Sequence, residues 1–343
     1  MKPSSLPQDK PFLLYADCIP VKGAKRSIIC DLQRQSFQLI PNSLFELLEE
    51  YKGKSIADIK ADYEETAYPV IENYFEFLTE HEFVFFTDHP VSKFPSLDTQ
   101  FHIPQRITNA VVDLDEHSKT DFPLLAAELE TVACSALQVR VFSGWDLDSL
   151  SESLKAFDKT RIRGIELIVP FSEEYTEKKV VTSLSPIRRL RSVLFHSSPE
   201  SAQYSWIEDV PVVFTPQRIT SASHCGYIHP SQFTVNQPFF LESMNFNNCL
   251  HKKLGIDTKG QIKNCPAMHE SYGSIGETPL LEVVEKEEFT KTWTTTKDQV
   301  QECQDCEFRY LCTDCRVHVK DPTHPNSKPK NCNYDPYSAT WQE

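Results

Sequence analysis

Seven cysteines in the last third of this 343-residue chain have spacings suited to metal binding. Cys249 is followed by ten residues, Gly260, four more residues and Cys265; then come Cys303 and Cys306, Cys312 and Cys315, and finally Cys332. Two CxxC pairs and a later cysteine are what a multi-thiolate site requires, because each knuckle supplies paired ligands and a distant thiol closes the shell. Zinc and iron–sulfur both suit four thiolates, and CxxC pairs do not choose between them. Equally informative is that CxxxCxxC occurs nowhere in the chain. The eleven cysteines are an odd number, and such pairs in a reducing compartment read as metal ligands rather than as a disulfide framework. Cys18, Cys30 and Cys134 lie in or beside apolar runs and are expected to be buried small hydrophobes. His224, His229, His251 and His269 fall in the cysteine-rich region. Neutral imidazole suits ligation and proton transfer, but no more than one of them is expected to act.

The rest of the composition bounds the partners. A net charge of -14 argues against nucleic acid, which needs a basic footprint; a basic peptide is permitted. With 40% hydrophobic, 11% aromatic and 24% charged residues the chain is globular, and its length allows two or three domains. Its apolar stretches, Ile28 to Cys30 among them, fall far short of the roughly 18 residues of a membrane helix. The amino-terminal MKPSSLPQDK lacks an apolar signal core. The expected location is the cytoplasm, with no membrane partner.

Elements to position the cysteines follow from pattern. Phe12 to Tyr15, Ser27 to Asp31 and Ser36 to Ile40 read as strands. Ser43 with Glu46 and Ser55 with Asp58 have the form of capping boxes. A third helix is expected to start near Pro69 and to bury Val70, Ile71, Tyr74, Phe75 and Leu78. Phe83 to Phe86 would close the unit as a wing, giving a winged-helix-like α+β domain over 10–88. Residues 89–105 read as a proline-punctuated linker. Beyond it, strands at Ile107 to Leu114, Ala136 to Phe142, Gly164 to Val169, Leu190 to Phe195 and Val210 to Phe214 alternate with helices at Phe122 to Cys134 and Leu147 to Phe157, with a polar stretch running to Ser185. Such alternation implies an α/β fold with a mostly parallel sheet, here a partial βα barrel over 105–220.

The first segment resembles the PqqD-like precursor-recognition domain, on the pattern SIICDLQRQSFQLI, PNSLFELLEEYKGKSIADI and IENYFEFLTEHEFVFF. That resemblance implies a leader peptide added beside the third strand and packed on the third helix, in a groove lined by Phe37, Leu39, Tyr74 and Leu78. The middle segment is similar to the partial barrel of the radical S-adenosylmethionine family. In that family the loop after the first strand carries CxxxCxxC, whereas DLDEHSKTDF has no cysteine. S-adenosylmethionine and the radical chemistry that depends on it are therefore not expected. Ser143-Gly144-Trp145 sits where that family often contacts S-adenosylmethionine, and a tight turn explains it equally well.

Residues 225–343 are similar to the SPASM domain, on the order Cx10Gx4C, CxxCx5C and a final C. The resemblance implies two [4Fe-4S] clusters, one held by Cys303, Cys306, Cys312 and Cys332, the other by Cys249, Cys265 and Cys315. The last pair here is CxxC where the family usually has CxxxC, which puts the role of Cys315 in question. Cys225 is the available fourth ligand of the second cluster, against an open or substrate-ligated iron. Tyr334-Asp335-Pro336-Tyr337 is expected to shield Cys332 from water. Together the segments resemble the SPASM protein of grasp-with-spasm systems, implying a ribosomal precursor peptide and an ATP-grasp ligase as partners. Three roles stay open: an accessory maturase, a redox-active peptide-modifying enzyme using an incompletely ligated cluster, and a zinc-stapled interaction protein.

Overall fold

The computed structural model describes residues 6–342; the start of the amino-terminal stretch in which no signal core is expected lies outside them. The chain forms two compact units, neither of them a single run of sequence. One comprises residues up to Phe101 with Tyr227–Asn248 and Thr295 onward; the other comprises His102–Gly226 and Cys249–Thr294.

In the first unit β1 (Phe12–Leu14), β2 (Cys18–Val21), β3 (Ser27–Asp31) and β4 (Ser36–Ile40) are followed by helices α1 (Asn42–Glu50), α2 (Ile56–Ala61) and α3 (Tyr68–Glu80) and by β5 (Val84–Phe86). β5 pairs antiparallel with β1, and β2, β3 and β4 form an antiparallel sheet in that order. The expected strands and the helix starting beside Pro69 are present. Ser55 and Asp58 make the expected capping box. β2 was not among the expected strands, its proline hiding the alternation of CIPV. Ser43 is not a cap: α1 starts after Pro41 with no side-chain cap, and Asn42 is held by the Gly23 and Ala24 carbonyls and the Ser27 hydroxyl. Val70, expected inside, is 49% exposed, because the buried stripe of α3 runs through Ile71, Phe75 and Leu78.

Every residue of β3 is buried because both of its faces are covered. Ile29 packs with α1, α2 and α3. Ile28 and Cys30 face a different core, made with Phe240 and Leu241 of the helix Gln237–Asn245 and with Phe308, Leu311 and Tyr334. Alternation along a strand sends successive side chains to opposite faces, so this one strand joins the small helical core to the cysteine-rich tail.

In the second unit β6 (Asn109–Leu114), α4 (Phe122–Thr131), β7 (Ala136–Val141), α5 (Leu147–Leu154), β8 (Gly164–Pro170), α6 (Glu177–Leu184), β9 (Leu190–His196), β10 (Ala202–Ile207), β11 (Val210–Thr215), β12 (Lys253–Ile256) and β13 (Ile262–Lys263) follow in order. The eight strands make one sheet in the order β10-β11-β9-β8-β7-β6-β12-β13. β12, β6, β7, β8, β9 and β11 run parallel, and only β10 and β13 are antiparallel additions. The mostly parallel mixed α/β sheet expected from the alternation is thus observed. Four elements go beyond that expectation, β13 on the edge of the sheet being one. α6 occupies the polar stretch, held by Val180 and Leu184 and by a Thr176 cap on Lys179. β10 pairs back on β11, and β12 enters beside β6 from the cysteine-rich segment. The core is the sheet face that carries Ala110, Val112, Leu114, Leu137, Val139, Leu167 and Val193, packed against the helices.

Candidate metal centres

The first unit gathers four of the expected ligands around one cavity. Cys303 opens a 3₁₀ turn, Cys303–Asp305, in which the Cys306 amide donates to the Cys303 carbonyl at 3.0 Å. The Phe308 amide then donates to the Cys306 sulfur at 3.4 Å. Cys312 follows, its carbonyl accepting from the Asn248 side chain at 2.9 Å, and the Cys332 amide is tied back to Pro329. Cys303, Cys306, Cys312 and Cys332 share the cavity wall with Lys297, Lys328 and Tyr334. Among the described residues no three such side chains converge as a single metal ion would require; the four thiols are distributed round a space. Four sulfur donors set round a void are the donor set that a polynuclear cluster takes, and in that respect these residues fit the group.

The electrostatics are unusual for an apolar pocket. Lys297 is 3% exposed and donates to the Cys312 sulfur, to the Cys312 carbonyl at 2.8 Å and to the Thr313 carbonyl at 3.0 Å. Burial acts to lower its pKa, but Cys312, Cys303 and Asp314 outweigh it and leave the ammonium raised. Burial pushes the Cys303 thiol up to about 12 and Cys306 well above its ordinary value, and it raises Cys312 against the pull of Lys297. Burial thus favours the protonated thiols, and a cluster taken up here would be bound with release of protons. Lys328 donates to Glu302 at 2.7 Å and to the Tyr334 carbonyl. Tyr334 and Pro336 line the cavity with Cys332, which is half-buried, whereas Tyr337 is 54% exposed. Cys315 is also in this unit, buried, with its sulfur accepting from the His318 amide at 3.4 Å.

Cys225, Cys249 and Cys265 belong to the second unit. Gly260, the glycine of Cx10Gx4C, has φ +77° and closes the turn between β12 and β13, its amide donating to Asp257 at 2.8 Å. A left-handed residue there favours glycine. Gly255 serves a different end: a Cβ at this position would lie 2.4 Å from Pro266 Cδ and 2.8 Å from the Cys265 carbonyl carbon, so its absence lets the Cys265 backbone lie on β12. Lys253 Nζ is 4.0 Å from the Cys249 sulfur. Charge on Cys249 acts most strongly to raise this ammonium, against burial, and Cys265 and Cys225 add to it. Burial raises the Cys265 thiol, and Lys253 opposes that. Cys225 and Cys265 also act on Arg140, whose guanidinium grips Asp113 in two bonds of 2.7 and 2.8 Å. Cys225 is exposed, and Cys249 and Cys265 are half-buried.

The remaining expected residues are placed as follows. Cys18, Cys30 and Cys134 are buried. His229 caps its own turn at Ser231, His251 packs edge-on to Trp293, and His269 is exposed. Of the four groove residues, Leu39 is 46% exposed on β4, and Tyr74 is half-buried with its hydroxyl 2.7 Å from Ser43. Phe37 packs between Phe233 and Phe308, while Leu78 lies in the core on the other side of the sheet. Gly144 has φ +76°, and a Cβ there would meet Glu116 Cα at 2.4 Å. Trp145 Nε1 donates to the Asp115 carbonyl at 3.1 Å, so Ser143-Gly144-Trp145 is packed against the loop after β6. Lys297, Lys328, Lys253 and the Asp113–Arg140 pair were not legible in the sequence. Only Lys253, four residues after Cys249, carries any local hint.

No protein-family model matches the chain, and no curated protein matches it. Two solved structures are similar in part, both of Streptococcus suis SuiB. The one bound to S-adenosylmethionine gives a TM-score of 0.37 at 9% identity, covering 93% of this chain and 99% of that one. The one bound to precursor peptide SuiA gives 0.31 at 8% identity with the same coverage. At such scores neither neighbour bears on what this chain does. Among the described residues no helix is long and apolar enough to cross a membrane.

Proposed function

We propose that the chain is an iron–sulfur protein of SPASM type that takes part in maturing a ribosomally made peptide. In this reading residues 10–88 recognise the precursor leader, 105–220 form a partial barrel without radical chemistry, and 225–343 supply the cluster ligands. An ATP-grasp ligase forms the link in the peptide. The observation that carries the reading is the single cavity walled by Cys303, Cys306, Cys312 and Cys332. Those four would hold one [4Fe-4S] cluster, and Cys225, Cys249 and Cys265 would supply ligands to another. Such clusters supply structural cross-linking or one-electron transfer.

The leader has an available edge. Among the described residues β4 is paired only on the side of β3, and its exposed Leu39 offers an apolar contact. Strand addition there would use main-chain hydrogen bonds for affinity and side-chain contacts for selectivity.

Anaerobic purification with iron, sulfide and zinc analysis tests the reading. About eight irons with matching sulfide, in line with two clusters, and loss of about half in Cys303→Ser are expected. Zinc without sulfide would leave only a stapled interaction protein. A labelled leader peptide of the cognate precursor should bind the full chain, and Leu39→Glu should weaken it by about tenfold, or about 1.4 kcal/mol. A redox role in place of a purely structural one is favoured by one observation, the ammonium of Lys297 on the Cys312 sulfur.

A further inference from the structure

Lys297 lies in a short turn, Lys297–Gln299, whose entry is fixed by the reciprocal Thr296–Gln299 capping box. The cap aims the side chain inward, away from water, at a cost that burial of an ammonium makes large unless an anion meets it. Among the described residues no carboxylate accepts from it; its acceptors are the Cys312 sulfur and two carbonyls. Asp314, the nearest acidic influence, is already engaged by Asn247 and Arg316. Among the described residues the Cys312 sulfur is the one direct acceptor of Lys297 that becomes anionic on ligation. The other cations of the cavity wall are engaged elsewhere, Lys328 by Glu302 and the Tyr334 carbonyl and Arg309 by Asp298 and the Lys22 and Cys306 carbonyls, whereas Lys297 donates to a ligand sulfur.

We propose that Lys297 is the built-in counter-cation of the cluster held by Cys303, Cys306, Cys312 and Cys332, and that it raises that cluster's reduction potential. This rests on the cluster reading above. A donor on a ligating sulfur and a fixed positive charge in a dry pocket both favour the state with one more electron. The electron comes from an external one-electron reductant, and none is drawn from the protein.

The test is a dithionite redox titration of the intact, cluster-loaded protein followed by electron paramagnetic resonance, alongside iron and sulfide analysis, in wild type, Lys297→Met and Lys297→Arg. Lys297→Met should load iron as wild type does and should move one of two reduction steps to more negative potential, leaving the other in place. Lys297→Arg, which keeps the charge, should stay near wild type. Loading of Lys297→Met with both steps unmoved overturns the proposal. If Lys297→Met does not load, loading of Lys297→Arg at the wild-type potential supports a counter-cation. Failure of both variants to load overturns it in favour of a packing role. Wild type without iron and sulfide fails the cluster reading itself, and iron analysis reports that separately from any shift in potential.

Discussion

Arg26, at the entry to β3, donates to the Glu307 carboxylate at 2.8 Å, which ties the amino-terminal sheet to the residue directly after Cys306. Glu307 is wholly buried and also receives the Tyr334 hydroxyl. The contact continues along the turn: the Ala24 amide donates to the Asp305 carbonyl at 2.7 Å, and Gly23 leaves no room for a side chain against Glu307. The hairpin turn between β2 and β3 is thus docked on the Cys303–Cys306 knuckle. A break in a buried ion pair costs more than the pair contributes, since a charge is left in the interior.

Arg26 is itself 32% exposed while Glu307 is fully buried, so Arg26→Met should lower stability by about 1–3 kcal/mol, read as a fall in the midpoint of urea unfolding. Pairing it with Glu307→Leu should recover part of the loss, because the stranded carboxylate is removed. An unchanged midpoint in the single variant would show that Tyr334 alone satisfies Glu307.

The shared core bears on whether the amino-terminal segment can stand alone. Ile28, Cys30 and Phe37 pack on Phe233, Phe240, Phe308 and Leu311, all outside the first hundred residues. A fragment of residues 1–100 would expose that apolar face, and faces of this kind drive association. The fragment is expected to self-associate on size-exclusion chromatography, while the full chain does not. A monomeric fragment with native-like unfolding would contradict this.

Two glycines near the second cysteine group should respond differently to alanine. Gly255→Ala places a Cβ against the Cys265–Pro266 backbone, and overpacking against backbone costs roughly 1–3 kcal/mol; it should also reduce metal content by displacing Cys265. Gly260→Ala meets nothing within 4 Å and carries only the left-handed backbone penalty of about 1–2 kcal/mol. Its metal content should stay closer to wild type. Equal metal loss in both would indicate that the turn, not the Cys265 backbone, sets the site.

Stability should fall in mild acid through His196. Its imidazole is 2% exposed, with Nε2 3.1 Å from the Val141 carbonyl, and burial holds its pKa below the ordinary 6.5. The unfolded chain then binds the proton more readily than the folded one. The contribution is complete above pH 6.5 and is lost as pH drops from there toward the folded-state value, at up to about 1.4 kcal/mol per pH unit. Urea unfolding at pH 7.5 and 5.5 should show a smaller pH effect in His196→Gln than in wild type.

Local devices were legible from the order of residues alone. Cysteine spacing, the Ser55–Asp58 capping box, the buried stripe of α3 and the βα alternation depend on residues close in the chain, and period or spacing reveals such features. Gly260 belongs with them, since its turn is closed within four residues by Asp257. The tertiary structure decided what distant segments share. β12 joins the sheet beside β6, more than 140 residues away in the chain, and β3 is buried on both faces by partners from opposite ends of the sequence. It also divided the cysteines, placing Cys225, Cys249 and Cys265 in one unit and Cys303, Cys306, Cys312, Cys315 and Cys332 in the other. Lys297, Lys253 and Arg140 were unreadable in sequence for the same reason: a lone cation has no period, and its effect on a thiol depends on distance and dielectric, both of which exist only once the chain has folded.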